Sequence, residues 1–224
     1  MTQFPSRVPQ TARTARTRRA ALGLMALFSA PVALSSSALI APAYAQSAAV
    51  APINALYAAL GQIQSSGSGT SDARAQAIAP VIDRSFDLST ILHSSIGMRY
   101  TTLSADEQSK LLTAFRQFTI ARYVSSFKKG GDAKFTVSPT TRPAPTGGST
   151  IVSTTIGDGS DSGTAINYVM MPSGGGYRIV DILLNGRISQ VAAQRADFSS
   201  TLARGGVDAL VTLLNHKTAK FMNN

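Results

Sequence analysis

The sequence predicts an α+β domain in which helices pack on one face of an antiparallel sheet. Apolar residues recur near every 3.6 positions from Pro52 to about Lys128, and at Lys128-Lys129-Gly130-Gly131-Asp132 the period changes to two. After Asn185-Gly186 the helical period returns, so strands fill the middle of the domain and helices its two ends.

Residues 1–45 precede this pattern. Arg7, Arg13, Arg16, Arg18 and Arg19 stand without an acid, Ala20 to Leu34 form an apolar run, and Ala43-Tyr44-Ala45 fits a small-residue cleavage site before Gln46. These features predict a secretory signal peptide over 1–45, cleaved after Ala45, and a folded domain over 46–224. Pro31, Pro42 and the serines at 35–37 break the apolar run well short of the ~20 residues that a membrane-spanning helix needs.

Cleavage removes five of the 21 basic residues and none of the 11 acids, leaving a net charge of +5. A mildly basic exported domain argues against nucleic acid as a partner and retains some attraction to anionic surfaces. Cysteine is absent, so neither disulfides nor thiolate metal sites staple the fold. The expected compartment is the bacterial periplasm.

Along the domain, Ile53, Leu56, Leu60 and Ile63 predict a first helix with Pro52 at its start. Ser71-Asp72 suit the cap of a second helix through Ile78, Val81 and Ile82, and residues 86–100 read as short helical turns. Ser104 followed by Glu107 is a capping box opening a long helix to about Lys128, with Leu111, Leu112, Phe115, Phe118, Ala121 and Tyr123 on its apolar side. Four strand-like runs follow, AKFTVSPTT, STIVSTTIG, GTAINYVMMP and GYRIVDILLNG, separated by turn chemistry, which implies a meander. A helix through Val191, Arg195 and Phe198 comes next, and Gly205-Gly206 separates it from a last helix carrying Val207, Leu210, Val211 and Leu214.

Motifs for chemistry are sparse. His93 and His216 are the only histidines, far apart in different helical segments, and neither has a partner at metal-ligand spacing. Ser126-Phe127-Lys128-Lys129 matches S-x-x-K, but the S-D-N and K-T-G companions are missing. Asp158 to Gly163 resembles the start of a calcium loop whose twelfth position would be Val169, so it reads as a hairpin turn. No cofactor fingerprint occurs. What remains is nine Phe and six Tyr without a Trp, which either fill the core or line an apolar cavity between helices and sheet.

From the capped helix onward the chain resembles the MlaC-like, or toluene-tolerance, family of ABC-transporter auxiliary proteins. The matching pieces are IGMRYTTLSADEQSKLLTAFRQFTIARYVSSF and GYRIVDILLNGRISQVAAQRADFSSTLARGGVDALVTLL, with Asp181, Gly186, Ile188-Ser189, Arg195 and Phe198 as the more specific series. The stretch NYVM…GGGYRIVDILLNGRISQVAAQRADF looks closest to the hopanoid-associated HpnM branch. Tyr177 stands where that family usually has tryptophan, and Thr101 where it often has an aromatic residue, which bears on cavity shape more than on fold. The resemblance covers about residues 51–220 and implies an NTF2-like sheet enclosing a hydrophobic pocket for acyl chains. It implies a ligand, phospholipid or hopanoid, and partners: an MCE-protein and ABC-permease complex at the inner membrane and an outer-membrane lipoprotein complex.

The expected reading is therefore a periplasmic lipid carrier without a catalytic residue. Phe86, Ile96, Tyr100, Phe115, Phe118, Ile166, Tyr168, Met170, Ile179 and Leu183 are the expected lipid-lining residues. The strand members among them share one phase of the alternation, and the opposite phase, with Val169, Val180, Ile182 and Leu184, is its alternative. Asp181, Gly186 and Arg195 are expected to be structural, Asp181 being ion-paired or hydrogen-bonded so that the following helix is oriented over the sheet. Two rival readings are an enzyme using Asp181 as base beside Tyr100 or Tyr168, and an adaptor whose interior is filled.

Overall fold

The computed structural model describes residues 40–145, 147–157 and 163–223, with backbone alone for residues 40–47. Most of the expected signal peptide and the turn at 158–162 lie outside the described residues.

The first element among the described residues is helix α1, Ile40–Gln64. It starts twelve residues earlier than the sequence reading placed it, because Pro52 lies inside the helix instead of at its first turn. The alanines around Pro52 favour helix, against a proline that removes one hydrogen bond and crowds the carbonyl four residues before it. The buried face, Ala49, Ile53, Leu56, Tyr57, Leu60 and Ile63, keeps helical spacing throughout.

Helix α2, Ser71–Ser85, is capped one residue earlier than expected: the Thr70 hydroxyl accepts the N–H of Ala73 at 3.2 Å. Helix α3, Leu88–Ile96, is capped by Asp87 and runs into a 3₁₀ turn, Gly97–Thr102. Helix α4, Ala105–Ser126, opens on the capping box: Glu107 accepts the Ser104 N–H at 2.9 Å while Ser104 Oγ accepts the Glu107 N–H at 3.3 Å.

Five strands follow in the order β1-β2-β3-β4-β5, each antiparallel to the next: Lys134–Pro143, Thr150–Gly157, Thr164–Ser173, Gly176–Leu184 and the two-residue Ile188–Ser189. Asn185 and Gly186 take positive φ, 50° and 71°, in the turn between β4 and β5. A Cβ on Gly186 would also stand 3.3 Å from Asn167 Nδ2. Helix α5, Gln190–Met222, bends at Gly206, whose φ of 67° and ψ of −163° break the expected helix pair at the expected place.

Sheet register decides what faces the helices. Val152 pairs with Tyr168 and Thr154 with Ile166, while Tyr168 pairs with Ile182 and Ile166 with Leu184, so these residues share the inner face. Between Val169 and Met170 the register slips: Asp181 opposes Val169 and Ile179 opposes Met170, leaving Val180 as the extra residue of a bulge. Inner positions on β4 therefore change from odd to even across the bulge. The free edge of β4 beside Ile179 is covered by Phe86 and Asp87, the Asp87 N–H donating to the Ile179 carbonyl at 2.9 Å.

Two buried polar residues tie the helix ends together. Arg74 is 6% exposed and donates to the carbonyls of Ile63 and Val124, both at 2.8 Å, and of Phe127, so one guanidinium satisfies the C-terminal ends of α1 and α4. Gln64 accepts the Ala133 N–H through Oε1 at 3.1 Å, holding the start of the sheet against α1.

Candidate functional site

Helix α4 presents Phe115, Phe118, Thr119, Arg122, Tyr123 and Ser126 at intervals of three and four, a single stripe along the helix. This stripe faces the inner positions of the sheet, Ile156 on β2, Ile166 and Tyr168 on β3, and Ile182 and Leu184 on β4. Phe86, Leu88 and Ile91 close one side and Gln190, Val191 and Gln194 at the start of α5 close the other. A cavity of about 200 Å³ remains between α4 and the sheet.

Aromatic rings form much of its wall. Phe86 lies 5.7 Å from Tyr123, Tyr123 stacks on Phe127 at 6.2 Å, and Phe127 reaches Phe135 at 5.5 Å. Phe135 in turn stacks on Tyr57 at 4.6 Å, and Tyr57 meets Tyr168 edge-on at 6.0 Å. The Tyr57 hydroxyl shares a hydrogen bond with Thr154 Oγ1 at 2.6 Å, which fixes α1 to the inner face of the sheet. Burial pushes the phenols of Tyr123 and Tyr168 upward, so both remain neutral at physiological pH.

Of the ten expected lining residues, Phe86, Phe115, Phe118, Ile166 and Tyr168 border the cavity. Ile96, Tyr100, Met170 and Ile179 are buried in the core away from it, Tyr100 packing on His93 at 5.0 Å. Leu183 is corrected outright: it pairs with Asn167 on the opposite face, and the bulge at Val180 puts Ile182 and Leu184 on the cavity side instead. The missed α4 residues, Tyr123 above all, were detectable by extending the spacing of Phe115 and Phe118 along the helix. Nothing in the sequence marks Gln190 or Gln194 as lining residues.

Asp181 borders the cavity beside the bulge, and its oxygens are occupied. Oδ1 accepts the N–H groups of Ile182 at 2.7 Å and Val191 at 3.1 Å, and Oδ2 accepts the Ser189 hydroxyl at 2.5 Å. Ser189 Oγ itself accepts the N–H of Ala192 at 3.0 Å, so strand carboxylate and hydroxyl together cap α5. Arg195 does not reach Asp181 but donates to the Ser94 carbonyl at 2.9 and 2.6 Å, joining α5 to α3. A carboxylate that accepts three donors, one of them from the first turn of α5, is built to position that helix.

The model of the family described as MlaC protein matches residues 51–216. No curated protein matches the chain. Among solved structures, the phospholipid-binding protein from Ralstonia solanacearum in complex with a phospholipid is similar, with a TM-score of 0.64 and 18% identity. The likeness covers 79% of this chain and 98% of that one, and at this identity it establishes a common fold.

Proposed function

Since the chain belongs to the MlaC family by a match over residues 51–216, we propose that it is a periplasmic carrier that binds phospholipid through its acyl chains. The observation that carries this reading is the unfilled apolar space between the α4 stripe and the inner face of the sheet, walled by aromatic side chains. Each buried CH2 is worth ~0.8 kcal/mol, so exposing one sixteen-carbon chain to water costs on the order of 12 kcal/mol. Unassisted escape from a membrane is correspondingly slow. A soluble cavity removes much of that barrier without any catalytic group.

The cavity of about 200 Å³ is smaller than the ~300–1,000 Å³ of pockets that enclose drug-sized ligands, so loading a full chain requires its walls to part. Among the described residues no helix is long and apolar enough to cross a membrane. In the proposed cycle the protein shuttles lipid between an inner-membrane MCE and ABC-permease complex and an outer-membrane lipoprotein complex.

Transfer between vesicles tests the carrier role. Purified protein should accelerate movement of a pyrene-labelled phosphatidylglycerol from donor to acceptor liposomes in proportion to its concentration; a rate unchanged by the protein would end the proposal.

A further inference from the structure

One cationic side chain in the apolar wall makes no ion pair among the described residues. Arg122 sits in the α4 stripe between Phe118 and Ser126 and is half-buried. Its Nη2 donates to Gln190 Oε1 at 2.5 Å, and among the described residues it forms no ion pair. A guanidinium carries five N–H donors, so most of them lack a protein acceptor here. Gln190 accepts from Arg122 through oxygen, which turns its amide N–H₂ into a further open donor. Gln194 accepts the Ser95 hydroxyl through Oε1 at 3.0 Å and likewise keeps its amide N–H₂ free. Among the described residues the one acid on the cavity wall, Asp181, already holds three donors.

The cavity therefore pairs a long apolar wall with one cluster of donors, most of which have no protein acceptor. Keeping a cation against apolar surface is costly unless an anion completes it. We propose that Arg122, with the amides of Gln190 and Gln194, is an anchor for the anionic phosphate of an amphiphile whose tail lies against the aromatic wall. The inference rests on the carrier reading above and adds head-group selection to it. Guanidinium meets phosphate through paired, charge-assisted hydrogen bonds, which gives direction as well as strength.

The test compares palmitoyl lysophosphatidic acid with monopalmitoylglycerol, which share chain and glycerol and differ by the phosphate, using displacement of a fluorescent fatty-acid probe from the purified protein. Wild type should bind the phosphate form about tenfold more tightly. Arg122→Met should reduce that preference to about twofold or less. Rising salt should weaken only the phosphate form. Equal wild-type affinity for the two probes overturns the anchor and leaves the carrier reading intact, a result that needs no variant to fold. Full preference in Arg122→Met overturns it as well. Inorganic phosphate is the third arm: if it binds as tightly as the lysolipid, the site takes free phosphate and the assignment to an amphiphile falls. Failure of both lipids to bind removes the carrier reading together with this inference.

Discussion

Asp181 on β4 accepts the backbone N–H of Val191 at 3.1 Å, so a strand carboxylate closes the first turn of the helix that walls the cavity. Removing it leaves the N–H groups of Val191 on α5 and Ile182 on β4 and the Ser189 hydroxyl without that acceptor. Asp181→Ala should lower unfolding stability by about 1–3 kcal/mol in urea melts followed by circular dichroism. Asp181→Asn, which keeps one acceptor oxygen, should cost less.

The bulge at Val180 makes adjacent leucine and isoleucine positions opposite in effect. Ile182→Trp should fill the cavity and abolish lipid capture, whereas Leu183→Trp, on the other face, should leave capture intact. Overpacking costs about 1–3 kcal/mol, so both variants should remain folded by thermal melt. Comparable loss of lipid in the two would contradict the register.

Arg74 satisfies three carbonyls at the ends of α1 and α4 from a buried position. Arg74→Met should destabilise by about 2–4 kcal/mol in urea, because the carbonyls lose a charged donor that water replaces poorly. Hydrogen exchange should then quicken first at the last turns of α1 and α4.

Acid should act on the α2–α4 contact. Arg116 donates to both oxygens of Asp83 at 2.7 Å, and this hydrogen bonding holds the Asp83 carboxyl below its ordinary value of 3.8. A carboxyl lowered in the folded state contributes stability above the unfolded value and loses it as pH falls through the folded one. Both side chains are 41% exposed, so the contribution at neutral pH is no more than about 1 kcal/mol. Asp83→Asn should thus cost little at about pH 6 and should flatten the loss of stability below about pH 4. An unchanged slope in urea melts across that range would refute the assignment.

Particular residues show what the sequence could and could not disclose. The Ser104–Glu107 box, the four long strands and the break at Gly206 were legible because each depends on local chemistry: a cap, an alternation, a glycine. Phe115 and Phe118 were legible on the cavity wall because α4 is long and regular. Leu183 was misplaced because a bulge adds one residue without any glycine or proline to mark it, and one residue reverses every later side chain on a strand. Ile96, Tyr100, Met170 and Ile179 were correctly apolar, yet composition cannot separate a residue packed against neighbours from one bordering a void. Arg122 and Gln190 were invisible because their meaning depends on two helices 68 residues apart in the chain meeting at one point.

The central claim, that the space between α4 and the sheet holds a lipid chain, is tested most directly by purifying the protein without detergent, extracting it with organic solvent and analysing the extract by mass spectrometry. The account predicts near-stoichiometric phospholipid, lost in Ile182→Trp. A folded wild-type protein that yields no lipid would contradict it, and an extract containing hopanoid alone would contradict its choice of ligand.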